Sequence, residues 1–292
     1  MKRYSAILVA AALLMSVSRA ALAYQSPPPS AATPAPVTPA PVQAPAASAP
    51  QSANDDPTVK ANQQKARALL DAMVDALGDL SWETLQDWEQ AGRISYFEHG
   101  NPTGQTTPFW AYHSGTDLDR FVFGKRKDVV QLFTATAGYE MTYKGRADLP
   151  KDQVDDFLRR RAHSVEVVAR VWMKDSRTVL IYEGQSQVER RLADRVTLFS
   201  ATNDSVTLEM DAETHLPLRR TFQWRNPIYK DKDEDVEEYD DYHDIQGFPT
   251  PYTITRYKNG DMVSQRFLFS GDYNTGLPPE MFDPNRFAQS RW

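Results

Sequence analysis

The stretch SVTLEMDAETHLPLRRTFQW, Ser205 to Trp224, decides how the chain is read. Val206, Leu208 and Met210 alternate with Thr207, Glu209 and Asp211; Leu216, Leu218, Phe222 and Trp224 then alternate with Arg219, Thr221 and Gln223. Period two on both arms predicts an antiparallel hairpin with one apolar face. Asp211 is placed to cap the turn through its own side chain, and Thr214 and His215 fill the corner. The one break in the apolar face is Arg220. A sheet with such a face must cover it or offer it to a ligand.

Working outward, the same period recurs on both sides. Strands are expected over 94–98, 109–113, 117–123, 128–134 and 139–143, then over 178–183, 188–189, 195–200, 239–245, 251–257 and 263–269, with Asn259-Gly260 as a two-residue hairpin signal. Two segments break the pattern. Ala66, Leu69, Leu70, Met73, Val74 and Leu77 recur at helical spacing and Gly78 stands where the helix must stop. Pro150 and Asp152 start a second helix striped by Val154, Phe157 and Leu158 and continued by Val165, Val168, Val171 and Trp172. The class is therefore α+β. A run of about ten or eleven neighbouring antiparallel strands tends to curl, which predicts an incomplete, half-open β-barrel with two helices packed in its mouth.

The N-terminal pattern predicts a compartment. Lys2 and Arg3 precede an apolar run from Ala6 to Val17, and Ala21-Leu22-Ala23 closes it, the pattern of a secretory signal cleaved after Ala23. Residues 24–57 are almost entirely Pro, Ala, Ser, Gln, Thr and Val and predict an extended tether. The folded domain is then 58–292. The formal charge of −6 becomes more negative once Lys2, Arg3 and Arg19 leave with the signal, which disfavours nucleic acid and anionic membrane surfaces. With no cysteine, disulfides, thiol catalysis and thiolate metal sites are excluded.

The order helix, strands, helix, strands resembles the LolA-like superfamily, which includes lipoprotein carriers and receptors of the periplasm. The resemblance rests on Ala68-Leu69-Leu70 through Ala76-Leu77-Gly78 with Trp82, on Met210 through Arg219, and on Asn274-Thr275-Gly276-Leu277 with Phe282. It spans Thr58 to Phe282. It implies a concave apolar lining that takes acyl chains beneath a helical lid, hence a periplasmic, non-enzymatic carrier whose partners are lipid or lipoprotein acyl chains and an envelope membrane protein, with no cofactor. The other reading is a protein-interaction or sensor module whose barrel is filled by its own helices.

The candidate cavity residues are Trp110, Tyr112, Phe121, Phe123, Leu180, Tyr182, Val206, Leu208, Met210, Phe222 and Trp224, each in a same-parity set on its strand. Arg120 and Arg220 interrupt apolar runs, and a buried guanidinium needs acceptors: lid carbonyls, a ligand anion, or an internal acid such as Asp119 or Glu209. Arg159-Arg160-Arg161 reads as a solvated helix face, with an anion patch as the alternative. Asp231, Asp233 and Asp235 have calcium-loop spacing, but Val236 and Tyr242 stand where that loop needs Gly and Glu, so 231–244 reads as a solvated acidic loop and no metal site is assigned. His99, His113, His163, His215 and His243 belong to no catalytic motif, and no catalytic residue is assigned.

Overall fold

The computed structural model describes residues 56–226 and 228–286. The expected signal and all but the last two residues of the expected tether lie outside them. Helix α1, Pro57–Leu77, starts where the Asp56 carboxylate accepts from the Thr58 N–H at 2.8 Å, with Pro57 in the first turn. It stops at Gly78, whose φ of +124° is open to glycine; a Cβ there would also meet the Phe248 ring at 2.9 Å. A short helix α2, Asp79–Glu83, follows.

Strands β1 (Asp87–Glu98), β2 (Asn101–Pro102), β3 (Thr107–Ser114), β4 (Leu118–Phe123), β5 (Val129–Phe133), β6 (Gly138–Thr142) and β7 (Gly145–Asp148) form the first meander. Helices α3 (Lys151–Ala162) and α4 (Val165–Arg170) come next, then a 3₁₀ turn at Trp172–Lys174. The second meander is β8 (Val179–Val188), β9 (Arg191–Phe199), β10 (Ser205–Asp211), β11 (Pro217–Arg225), β12 (Lys232–Ile245), β13 (Phe248–Lys258) and β14 (Asp261–Tyr273), and a second 3₁₀ turn spans Pro279–Phe282.

All 14 strands belong to one antiparallel sheet in the order β7-β6-β5-β4-β3-β1-β14-β13-β12-β11-β10-β9-β8, with β2 paired to β1 alone. The two meanders join where β1 pairs with β14, and Gly92 permits the close approach, since a Cβ there would lie 2.2 Å from the Phe267 carbonyl oxygen. The sheet is not closed, and β7 and β8 are its edges, so the incomplete α+β barrel is what forms. The strand count exceeds the expected ten or eleven. β2 and β7 are short and wholly exposed, so they carry no apolar period, and Val188–Glu189 is the end of β8 and its turn, not a separate strand. The β8 edge is blunted by Asn62 of α1, whose amide accepts from the Tyr182 N–H at 2.9 Å and donates to the Tyr182 carbonyl at 2.8 Å.

Register decides which side chains share a face. Val206 lies opposite Phe222 and Leu208 opposite Arg220, while Arg220 faces Glu237, Glu237 faces Arg256, Ile254 faces Arg266 and Arg266 faces Ile94. The inner face thus runs from apolar β8–β11, through charged β12–β14, to aromatic β1 and β3–β5. Helix α1 lies on the first part: Ala66, Leu70, Met73 and Val74 pack with Val196, Leu198, Val206, Leu208, Met210 and Phe222. Helix α3 lies over the last part, and the expected single second helix is broken at His163-Ser164, where Ser164 caps α4 by accepting from the Val167 N–H.

The outer face of β3–β5 is covered by the chain end. Asp87 accepts from the backbone N–H groups of Thr275, Gly276 and Leu277 at 2.7, 3.1 and 3.2 Å, which fixes the tail. Leu277, Met281 and Phe282 then pack on Tyr112, Val122, Val130 and Leu132.

Candidate functional site

A cavity of about 270 Å³ lies between the aromatic part of the inner face and α3. One wall is Ile94, Phe109, Phe121, Phe123 and Phe133; the other end is Arg160, Arg256, Arg266, Asp156 and Glu237. Phe157 of α3 reaches into the aromatic wall, stacked on Phe133 at 3.8 Å between ring centroids and edge-on to Phe121 at 5.7 Å. Phe121, Phe123 and Phe157 remain half-buried because the cavity, not protein, lies beside them.

The charged end belongs to a belt across β11–β14. Arg220 is 1% exposed; its Nη2 lies 3.1 Å from both Asp235 Oδ1 and Glu237 Oε2. Arg256 donates through Nε to Asp235 Oδ2 at 2.7 Å, and its Nη2 lies 3.3 Å from Asp156 of α3. Arg160 donates through Nε to Asp156 at 3.2 Å. Arg266 stands 3.8 Å from Glu237, beyond hydrogen-bond reach.

Burial and charge compete at each of these groups. Burial pushes the Glu237 carboxyl up, but Arg220, Arg266 and Arg160 outweigh it and hold it well below the usual carboxylate range. At Asp235 burial prevails over Arg220 and Arg256, and the group sits above its ordinary value. Burial opposes the Arg220 charge, yet Glu237, Tyr239 and Asp235 raise its pKa above the ordinary one. Arg160 is pushed down, first by burial and then by the neighbouring Arg256.

A second polar cluster fastens α3 and α4 to β3 and β4. The His113 Nδ1 meets Asp119 at 2.8 Å and its Nε2 meets the Gly115 carbonyl at 2.9 Å, with Glu166 of α4 3.5 Å away. Both ring nitrogens face acceptors, which calls for the imidazolium. Burial favours the neutral ring, but the bonds to Asp119 and Glu166 prevail and raise the His113 pKa to about 10. Arg161 donates to Asp119 at 3.0 Å and to the Asp117 and Thr134 carbonyls at 2.7 and 2.9 Å.

The expected cavity residues do not share one surface. Phe121 and Phe123 line the cavity. Leu180, Val206, Leu208, Met210 and Phe222 are buried beneath α1 and α4 with Tyr182 and Trp224 packed against them, so this part of the face is filled. Trp110 and Tyr112 lie on the outer face, because register puts Phe109 opposite Phe123 and Ala111 opposite Phe121. Of the two arginines, Arg120 is also on the outer face and donates to the Met281 carbonyl at 3.0 Å; Arg220 takes internal acids, but from β12, not Glu209.

Two expectations are overturned. The acidic segment is no solvated loop: the strand expected over 239–245 begins earlier, as Lys232–Ile245 of β12, and Asp235 is 0% exposed between Arg220 and Arg256. No cluster of metal-ligating side chains occurs among the described residues. Nor is the triple arginine a solvated face. Arg159 lies over the Trp224 ring at 4.6 Å, Arg160 enters the cavity and Arg161 is 12% exposed in its bonds to the β4–β5 end of the sheet. Sequence reasoning therefore missed Asp156, Arg160, Glu237, Arg256 and Arg266. The available signal was a charge inserted at the inner-face position of each neighbouring strand, with acids on one strand and arginines on those flanking it.

No family model matches this chain, nor does any curated protein sequence. Solved structures do. A DUF1329 family protein from Desulfovibrio piger aligns with a TM-score of 0.54 over 76% of this chain and 97% of its own, at 13% identity. A putative outer membrane lipoprotein-sorting protein domain from Vibrio parahaemolyticus gives 0.52 over 77% and 98%, at 10% identity. A LolA superfamily protein from Nitrosomonas europaea gives 0.46 over 74% and 96%, at 12% identity. The fold is LolA-like; at such identities the likeness is one of fold.

Proposed function

We propose that this chain is an exported periplasmic carrier that holds an acyl chain in the aromatic half of its barrel, with α3 as the lid. The observation that carries the reading is the cavity under α3, walled by Phe109, Phe121 and Phe123 and left open while the other half of the same face is packed. The lipoprotein-sorting domain that shares the fold supports it. So does the leader pattern at 1–23, which would deliver the domain on its 24–57 tether. Each methylene moved from water into such a wall contributes about 0.8 kcal/mol. Phe157 occupies the surface the chain would use, so lid and ligand compete for it.

A volume of about 270 Å³ lies near the lower end of ligand pockets, ~300–1,000 Å³. Without movement of α3 it accommodates one chain, not the several of a lipoprotein anchor or a phospholipid. The test is displacement of a fluorescent fatty acid from delipidated protein. Uptake is expected, lost in Phe121→Glu and kept in Thr221→Glu, whose side chain is on the opposite face. If delipidated protein takes up no fatty-acid, phospholipid or lipopeptide probe, the carrier reading fails and a helix-filled interaction module replaces it.

A further inference from the structure

The charged end of the cavity is out of balance. Four guanidinium groups, Arg160, Arg220, Arg256 and Arg266, face three carboxylates, Asp156, Asp235 and Glu237. Each acid is already engaged: both Asp235 oxygens are taken by Arg220 and Arg256, Glu237 is held by Arg220 and the Tyr239 hydroxyl, and Asp156 by Arg160 and Arg256. The Arg160 side chain makes one hydrogen bond among the described residues, through Nε, and Arg266 reaches no acid closer than 3.8 Å. These are the two arginines whose side chains keep the most exposure, 25% and 28%, and both border the cavity. A guanidinium carries five donors, so most of theirs remain available there. The depressed pKa of Arg160 beside Arg256 agrees with a surplus of positive charge held in a partly desolvated place.

Directly against this end lies the aromatic wall. Resting on the carrier reading above, we infer that the ligand is a single-chain amphiphile with an anionic head, carboxylate or phosphate, which seats on Arg160 and Arg266 while its chain runs along Phe109, Phe121 and Phe123. A cationic head would add to an existing excess of like charge. A neutral head would leave the guanidinium donors without the charge-assisted bonds that an oxyanion accepts in a forked geometry.

The test is calorimetric titration of the delipidated protein with dodecanoate, dodecyl phosphate, dodecanol and inorganic phosphate. At least one anionic amphiphile is expected to bind about tenfold or more tighter than dodecanol, and inorganic phosphate far more weakly than dodecyl phosphate. Arg266→Gln, which breaks no hydrogen bond of the belt, should remove most of that preference by weakening the anionic amphiphiles far more than dodecanol. Equal binding of dodecanol and both anions overturns the inference, as does inorganic phosphate binding as tightly as dodecyl phosphate. In the first case chain uptake persists and the carrier reading stands. Uptake of a phospholipid or lipopeptide with none of the dodecyl probes also overturns the inference alone; silence of every probe removes both.

Discussion

The two halves of the inner face use the same sheet and opposite tactics. Over β8–β11, α1 lays down Ala66, Leu70, Met73, Val74 and Leu77, all buried, and the strands answer with Val196, Leu198, Val206, Leu208 and Met210. Over β1 and β3–β5, α3 offers Val154 as its one buried residue and inserts Phe157 among aromatic rings that leave space beside them. One half is closed by apolar packing, the other by rings, arginines and a histidine. A helix that makes few apolar contacts is cheap to move. The belt of Arg220, Asp235, Glu237 and Arg256 lies between the halves.

The strongest blow to that division is Arg220→Met. It leaves Asp235 buried with Arg256 alone and takes from Glu237 its nearest cation. Removing one member of a buried pair costs about 3–5 kcal/mol, read as a lower midpoint in urea unfolding at unchanged slope. A loss below about 1 kcal/mol would mean the belt is solvated and divides nothing. A paired measurement then sharpens the contrast. Met73→Ala, in the filled half, should cost about 2–5 kcal/mol because the void has nowhere to collapse. Phe123→Ala already borders empty space and should cost less than about 2 kcal/mol despite deleting a larger side chain. Equal losses would show the two halves to be equally packed.

How far the sequence reached follows the same divide. The filled half was legible: the α1 stripe, its stop at Gly78, the hairpin and the Asp211 turn, where Oδ1 accepts from the Glu213 and Thr214 N–H groups at 2.9 Å, all rest on local rules. So did the single anomaly at Arg220. Its partners were hidden because 231–238 has a loop's composition, and it is a strand only because Asp235 and Glu237 meet arginines on β11, β13 and β14. Local propensity lost to tertiary pairing. On β3 the run Phe109, Trp110, Ala111, Tyr112 and His113 is apolar at both parities, so period two could not say which side is in. The register with β4 and the tail held by Asp87 decide it.

A smaller effect tests whether the cavity half alone is held by charge. His113 is packed against Asp119 of β4, Glu166 of α4 and the Trp88 ring, with Arg161 and Arg170 completing the charges around the two acids. Its pKa of about 10 in the fold stands above the ordinary 6.5, so the folded state binds this proton more tightly than the unfolded chain does. The stabilisation is therefore complete below pH ~6.5 and fades as pH rises through about 10, a loss on the order of 1–3 kcal/mol for a charge-assisted pair. Tyrosines and lysines also titrate at that alkaline end, so the informative quantity is the difference between wild type and His113→Gln. The variant should be less stable at neutral pH, and the gap should close as the pH nears 10. Fatty-acid uptake should then become easier in the variant at neutral pH, because α3 and α4 lose a fastening that α1 never needed. A gap that is constant with pH would make His113 a neutral packing residue and leave Arg161 as the fastening of the lid.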